Sequence, residues 1–119
     1  MNEAQILIKK VTEGIQEKKG KDITVVDLTN IENAICNYFI ICQGNSPNQV
    51  GAIVDSIKES VRKAINIKPF GIAGLKNAEW VAMDYSDILV HVFQPQARTF
   101  YNLEQLWTGA KLINVPNIE

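Results

Sequence analysis

The segment Gly44-Asn45-Ser46 is the part of this sequence nearest to a phosphate-binding pattern. It lies between a predicted strand and a predicted helix, and backbone N–H groups at a helix N-terminus can bind phosphate. The segment matches neither the P-loop nor the GxGxxG pattern. Nucleotidyltransferases combine such a turn with two carboxylates two residues apart on one strand, so that both face the same metal ions. Because Asp84 and Asp87 straddle a turn, we interpret them as turn acceptors. Ser46, at the start of the predicted helix, is interpreted as its N-terminal cap.

His91 is the only histidine of the chain and lies in the middle of a predicted strand. A metal site needs further ligands, and no cysteine or carboxylate stands at a suitable spacing around it. As a general base it would need a nucleophile, and none lies at a recognisable triad spacing. We therefore predict that His91 packs and forms hydrogen bonds inside the domain. The sequence predicts no catalytic residue, no metal ligand and no cofactor-binding residue.

Cys36 and Cys42 are the two cysteines of the chain. Five residues separate them, which fits neither a redox CxxC motif nor a zinc site. We predict that both are free and mostly buried thiols.

The composition predicts one globular domain. The chain has 119 residues, of which 46% are hydrophobic and 21% charged, and this is enough to bury a core. With a net charge of -1, the chain lacks the overall positive electrostatic field that drives binding to nucleic acid. No specific nucleic acid sequence is therefore expected as a partner. No apolar run approaches the length of a membrane span, and the N-terminus lacks the features of a signal peptide. We expect a cytoplasmic protein with no membrane partner.

Hydrophobic periodicity predicts an α/β fold, a single domain with a mixed sheet flanked by helices in the order αββαβββα. Two strands over residues 80–85 and 88–93 are apolar on both faces, so they should form a hairpin covered on both sides. The other predicted elements are a helix over 3–19, strands over 23–28 and 38–42, a helix from Ser46 to Ile65, an edge strand near 70–73, and a helix over 95–107.

The last predicted helix carries Phe100, Leu103 and Trp107 at spacings of three and four residues. This spacing predicts that the three side chains are buried on one face, and that Tyr101 is partly exposed. The segment Lys111 to Glu119 is predicted to be a loosely held tail.

Four aromatic residues, Trp80, Tyr85, Tyr101 and Trp107, cluster in the hairpin and the last helix. Aromatic side chains of this kind anchor protein interfaces when they are exposed, and they fill the core when they are not. From the sequence alone, both interpretations remain open.

Two segments, residues 37–50 and 80–107, closely resemble the ribosomal silencing factor family, also called Iojap-like. The resemblance covers about residues 3–108, which gives a predicted silencing-factor domain over 1–108 and a C-terminal tail over 109–119. Two departures are Asn37, where the family usually has an acid, and Ala73 before Gly74, where it tends to have Glu-Gly. The matching residues are Tyr38, Phe39, Gly44, Ser46, Gln49, Val50, Trp80, Asp84, Asp87, Val90, His91, Phe93, Arg98, Tyr101, Leu103, Glu104, Leu106 and Trp107.

The resemblance implies a translation repressor that is not an enzyme. Such a factor binds the large ribosomal subunit through a protein on its intersubunit face and blocks subunit joining. It also implies a nucleotidyltransferase-like fold without the catalytic carboxylate pair, and it raises a homodimer as a second kind of partner. The residues expected to contact the partner are Trp80, Met83, Arg98 and Tyr101. The alternative is a nucleotide-dependent transferase that uses Gly44, Ser46, Asp84 and Asp87.

Overall fold

The structure, a computed structural model, describes residues 2–107 and 109–117 of the chain. These residues form a mixed sheet with helices on one face and a shorter helix on the other. The elements are α1 (Glu3–Glu17), β1 (Lys21–Asp27), β2 (Tyr38–Gln43), α2 (Pro47–Ile65), β3 (Gly71–Ala73), β4 (Trp80–Asp84), β5 (Ile88–Phe93), α3 (Pro95–Tyr101), a 3-10 turn (Leu103–Gln105) and β6 (Lys111–Val115).

Within residues 2–107 and 109–117 the sheet has six strands, in the order β3-β4-β5-β2-β1-β6. β2 and β5 pair in parallel at its centre, and all other neighbouring strands are antiparallel. β4 and β5 form the predicted hairpin, closed by a hydrogen bond from the Tyr85 N–H to the Ile88 carbonyl. The mixed sheet, the hairpin and the short edge strand β3 confirm the predicted fold class.

α1 and α2 cover one face of the sheet and bury the larger hydrophobic core. They approach closely at Gly14, where a Cβ would lie 2.9 Å from the Ile57 Cα. Ser56 and Ser60 donate hydrogen bonds from α2 to the α1 carbonyls of Gly14 and Lys10, both at 2.7 Å. Glycine at this position therefore allows two helices to pack with their backbones nearly in contact.

The second face of the sheet carries a smaller core. Its buried residues are Val26, Leu28, Cys36, Phe39, Ile41, Phe93 and Leu103. The 3-10 turn and the segment 28–37 supply its cover, and Ala97 of α3 packs against its edge. Cys36 and Cys42 are free and buried, as predicted, and burial raises the pKa of Cys42 to about 12.

The predicted last helix is too long. α3 ends at Tyr101 because Asn102 adopts a left-handed conformation with φ 48°, and a 3-10 turn follows. The spacing argument therefore fails beyond Tyr101. Leu103 is buried and Trp107 packs on the second core, but Phe100, which was predicted to be buried, is 80% exposed.

The predicted loosely held tail is wrong for residues 111–115. These residues form β6, which pairs with β1 along its whole length, and Val115 packs against the larger core. The predicted domain boundary follows Thr108, which lies outside the described residues, as do the last two residues of the predicted tail.

Candidate protein-binding surface

Trp80 begins β4 on the second face of the sheet and is half-buried there. Its ring centroid lies 4.6 Å from that of Tyr101 and 5.1 Å from that of Phe93, onto which it stacks. Its indole N–H donates a hydrogen bond of 3.0 Å to Nδ1 of His91. Trp80 therefore has its ring held by three neighbours while one part of it reaches the surface.

Tyr101 and Phe100 extend this patch into solvent from the end of α3. Tyr101 is 46% exposed and Phe100 80% exposed, and their rings meet edge to face with centroids 5.0 Å apart. Glu79 and Gln94 line a pocket beside them. We call Trp80, Phe100 and Tyr101 the aromatic surface. An apolar centre with polar side chains at its rim is the usual composition of a protein interface.

The sequence failed to identify Phe100 as a member of this surface. The signal that could have found it is Asn102, since asparagine is one of the few residues that readily end a helix in the left-handed conformation. Ending the helix there removes the spacing that had predicted a buried Phe100.

Met83 does not belong to the surface, contrary to the prediction. Its side chain is fully buried in the core under α1 and α2. Successive residues of a strand face opposite sides of the sheet, so Met83 and Trp80, three residues apart, cannot share a face. Met83 cannot contact a partner while the domain is folded.

Arg98 is also engaged inside the molecule rather than free for a partner. Its side chain is 11% exposed, and its Nε donates to Glu104 Oε1 at 3.0 Å. Its two other nitrogens donate to the Asp22 carbonyl and, at 3.2 Å, to Thr24 Oγ1. Arg98 therefore ties α3 to β1, and its guanidinium is bound within the chain, contrary to the prediction that it contacts the partner.

The remaining two aromatic residues of the cluster pack against the two cores. Tyr85 is 4% exposed in the larger core, and burial raises its pKa to about 12. Trp107 packs edge to face on Phe39, with centroids 6.2 Å apart. The two interpretations thus divide the cluster: Tyr85 is in the larger core and Tyr101 at the surface, while Trp80 and Trp107 are both half-buried against the smaller core.

The segment Gly44-Asn45-Ser46 is a helix start whose first N–H groups are already used. Ser46 Oγ accepts from the Gln49 N–H at 3.1 Å, which confirms the predicted cap. Gln49 also reaches back, and its Oε1 accepts from the Asn45 N–H at 2.7 Å. The Gly44 N–H donates to the Phe93 carbonyl at 2.9 Å. Two of the three N–H groups that a phosphate would need are therefore bound within the chain.

The two aspartates of the hairpin differ, and only Asp84 is the turn acceptor that was predicted for both. Asp84 Oδ1 accepts from the Ser86 N–H at 2.7 Å, so its side chain is the predicted turn acceptor. Asp87 contributes its backbone carbonyl, which accepts from the N–H groups of Asn37 and Tyr38. Within residues 2–107 and 109–117, no three side chains of the types that ligate metals come together.

His91 lies in the interior behind Trp80, as predicted. It is 5% exposed, and burial lowers its pKa to about 4. Its ring packs edge to face on Phe39, with centroids 4.8 Å apart. The imidazole is therefore neutral at physiological pH, and it accepts the hydrogen bond from Trp80 in that state.

None of the helices within the described residues is both long and apolar enough to cross a membrane.

Comparison with known proteins identifies the class of this chain. A family model described as "Ribosomal silencing factor during starvation" matches residues 1–119. Ribosomal silencing factor RsfS of Bacillus subtilis is 38% identical over 116 residues, which cover 97% of this chain and 95% of that protein. The chain belongs to the ribosomal silencing factor family, and its role is ribosome silencing, a form of translation regulation.

A solved structure and a more distant relative are also similar to this chain. A crystal structure of a Chromobacterium violaceum protein superimposes with a TM-score of 0.83 at 31% identity, covering 98% of this chain and 95% of that one. A mouse protein named "Mitochondrial assembly of ribosomal large subunit protein 1" is 26% identical over 96 residues, covering 79% of this chain and 42% of that protein. The suggested likeness to nucleotidyltransferases stays a prediction.

Proposed function

We propose that this protein acts in the cytoplasm as a non-enzymatic repressor of translation that binds the large ribosomal subunit. The aromatic surface contacts a protein on the intersubunit face of that subunit. The observation that carries the proposal is the exposure of Phe100 and Tyr101 beside Trp80 in a member of the silencing factor family. The name of the mouse relative, which refers to the large ribosomal subunit, points to the same partner.

The mechanism is steric. A bound domain occupies surface that the small subunit needs for joining, so repression depends on occupancy and needs no chemical step. Its affinity comes from a few aromatic anchors at the centre of the contact, which are often worth about 2 kcal/mol each. Exposed aromatic rings can also pair with a second copy of the chain, and a homodimer formed in this way would compete with the ribosome for the same surface.

The interior supports a binding role over catalysis by a nucleotide-dependent transferase. Gly44 and Asn45 use their N–H groups inside the chain, and Asp84 uses its carboxylate in the turn. The residues assigned to the transferase alternative therefore have structural tasks that explain their presence. Adding a nucleotide with Mg²⁺ should leave the melting temperature unchanged, whereas an enzyme that bound it would be stabilised.

Co-sedimentation with purified large subunits tests the proposal. Tyr101→Ala should lower the affinity about thirtyfold, which corresponds to about 2 kcal/mol, and Phe100→Ala should lower it several-fold. Trp80→Ala should lower it further, with circular dichroism used to check that this half-buried position still folds.

Phe70 offers a matched control. It is 78% exposed, nearly as much as Phe100, but it lies at the opposite end of β4, where its N–H bonds to the Asp84 carbonyl. Phe70→Ala and Lys19→Ala should bind like the wild type. Equal losses for Phe70→Ala and Phe100→Ala would contradict the assigned surface. A wild-type protein that does not sediment with large subunits would overturn the function itself.

A further inference from the structure

The hydrogen bond between Trp80 and His91 joins the aromatic surface to the interior. The donor, the Trp80 indole N–H, belongs to a half-buried ring at the surface, and the acceptor, His91 Nδ1, belongs to a side chain that is 5% exposed. His91 lies on the neighbouring strand β5, two residues before Phe93, on which Trp80 also stacks. Two side chains of one strand therefore hold the same indole, one by its ring and one by its N–H.

Because Nδ1 accepts this bond, the neutral imidazole must carry its proton on Nε2. That Nε2 is buried and has no hydrogen-bond partner among the described residues. A buried polar group without a partner destabilises a fold, so an apolar side chain here would favour stability. Packing alone therefore does not account for a histidine at this position, whereas the acceptor that it offers to Trp80 does.

The acceptor restricts the orientation of the indole. Stacking on Phe93 and contact with Tyr101, at centroid distances of 5.1 and 4.6 Å, hold the plane of the ring, and the hydrogen bond to His91 adds a preferred direction for its N–H. A hydrogen bond requires the N–H to point at His91, because it weakens steeply when misaligned. One ring orientation is thereby selected before any partner arrives. Such preorganisation reduces the entropy lost on binding.

We propose that His91 is a positioning residue that holds Trp80 in the orientation in which it binds the partner. The inference rests on the proposed function, since it assigns His91 a part in the affinity of the aromatic surface. It predicts that removing the acceptor weakens binding even when the fold is preserved.

Two substitutions of His91 separate positioning from packing. His91→Leu keeps an apolar side chain of similar volume and removes the acceptor. His91→Asn has a carbonyl oxygen on the same carbon that carries Nδ1, so it can keep the acceptor while leaving part of the imidazole volume empty. The proposal predicts that His91→Leu binds large subunits about tenfold more weakly, and that His91→Asn stays within about threefold of the wild type. A purely structural role predicts the opposite order, because the smaller side chain leaves the larger cavity.

A spectroscopic measurement reports on the hydrogen bond without the ribosome. In the ¹H–¹⁵N spectrum, the indole N–H of Trp80 can be assigned by comparison with Trp80→Phe and Trp107→Phe variants. This resonance should move upfield and exchange faster with solvent in His91→Leu, and should stay near its original position in His91→Asn. On a Trp80→Phe background, which lacks the donor, His91→Leu should cause no further loss of binding.

Three results would overturn the inference: an unmoved resonance in His91→Leu, wild-type affinity of that variant, or equal weakening by the leucine and asparagine variants. Failure of the wild-type protein to sediment with large subunits would instead overturn the proposed function. The resonance would then still decide whether His91 orients Trp80.

Discussion

His91 is a single residue whose protonation should be visible in the stability of the whole domain. Burial lowers the pKa of its imidazole from 6.5 to about 4 in the folded chain. Between these two pH values the unfolded chain binds a proton that the folded chain does not. The titration of His91 therefore leaves the free energy of unfolding unchanged above about pH 6.5 and lowers it as the pH falls towards 4. The shift corresponds to a loss of about 3 kcal/mol at most.

Urea unfolding of the wild type and of His91→Leu between pH 7 and pH 4 measures this contribution. The free energy of unfolding of the wild type should fall more steeply than that of the variant. Both proteins share every carboxylate, and His91 is the only histidine, so the difference isolates its titration. Parallel pH profiles would show that the imidazole is not held neutral by burial.

Met83 and Arg98 show which errors in the predicted contact surface the local sequence could have prevented. The alternation of strand β4 already excludes a face that contains both Trp80 and Met83, so the error at Met83 could have been avoided from the sequence. Arg98 is different, because its partners Asp22 and Gln43 lie 76 and 55 positions away along the chain. No local pattern could have predicted that its guanidinium is already bound.

Among the elements, the start of α2 is the one that the sequence defined most fully. Ser46 caps the helix and Pro47 occupies its first turn. Gln49 adds contacts to the end of α1, because its Nε2 donates to the carbonyls of Lys18 and Lys19, which directly follow that helix, at 3.3 and 3.2 Å. The cap was predictable because it is local in sequence. The contacts to α1 were not, because they depend on how the two helices pack.

Ser46→Ala should lower the free energy of unfolding by about 1 kcal/mol, because one N–H of the first turn loses its acceptor. Ser46→Asp keeps an acceptor and places a negative charge at the positive end of the helix, so it should remain close to the wild type. Equilibrium urea unfolding measures both variants. A full loss of stability in Ser46→Asp would mean that the hydroxyl acts through something other than capping.

The two errors at the element scale have different physical causes. The end of α3 has a local signal in Asn102, which a rule based only on hydrophobic spacing overlooks. β6 has no comparable signal, since Lys111–Val115 alternates poorly and its pairing partner β1 lies near the other end of the chain. Its strand conformation is determined by the free edge of β1 rather than by its own sequence.

On the scale of the whole molecule, β6 completes the sheet and covers the edge of β1. β1 is rich in buried apolar residues, and an uncovered apolar edge strand tends to pair with other chains. A chain that ends after Ala110 should therefore lose at least about 2 kcal/mol of stability, partly because Val115 no longer packs on the core. It should also aggregate at lower urea concentrations than the wild type does.

Urea unfolding and light scattering measure these effects. Lys111→Ser is the matched control, because it changes an exposed residue of β6 and keeps the strand. It should unfold within about 0.5 kcal/mol of the wild type. A truncated chain as stable and as soluble as this control would mean that β6 contributes little to the sheet.

The pairing of β6 with β1 also determines when the sheet can be completed during synthesis. β1 and β2 can pair early, but the second edge of β1 must wait for β6, roughly 80 residues later, which at 5 to 20 residues per second takes about 4 to 16 s. During that interval the second edge of β1 has no strand partner. Each newly made copy of a protein whose role is to silence ribosomes therefore completes this sheet only after a ribosome has translated β6.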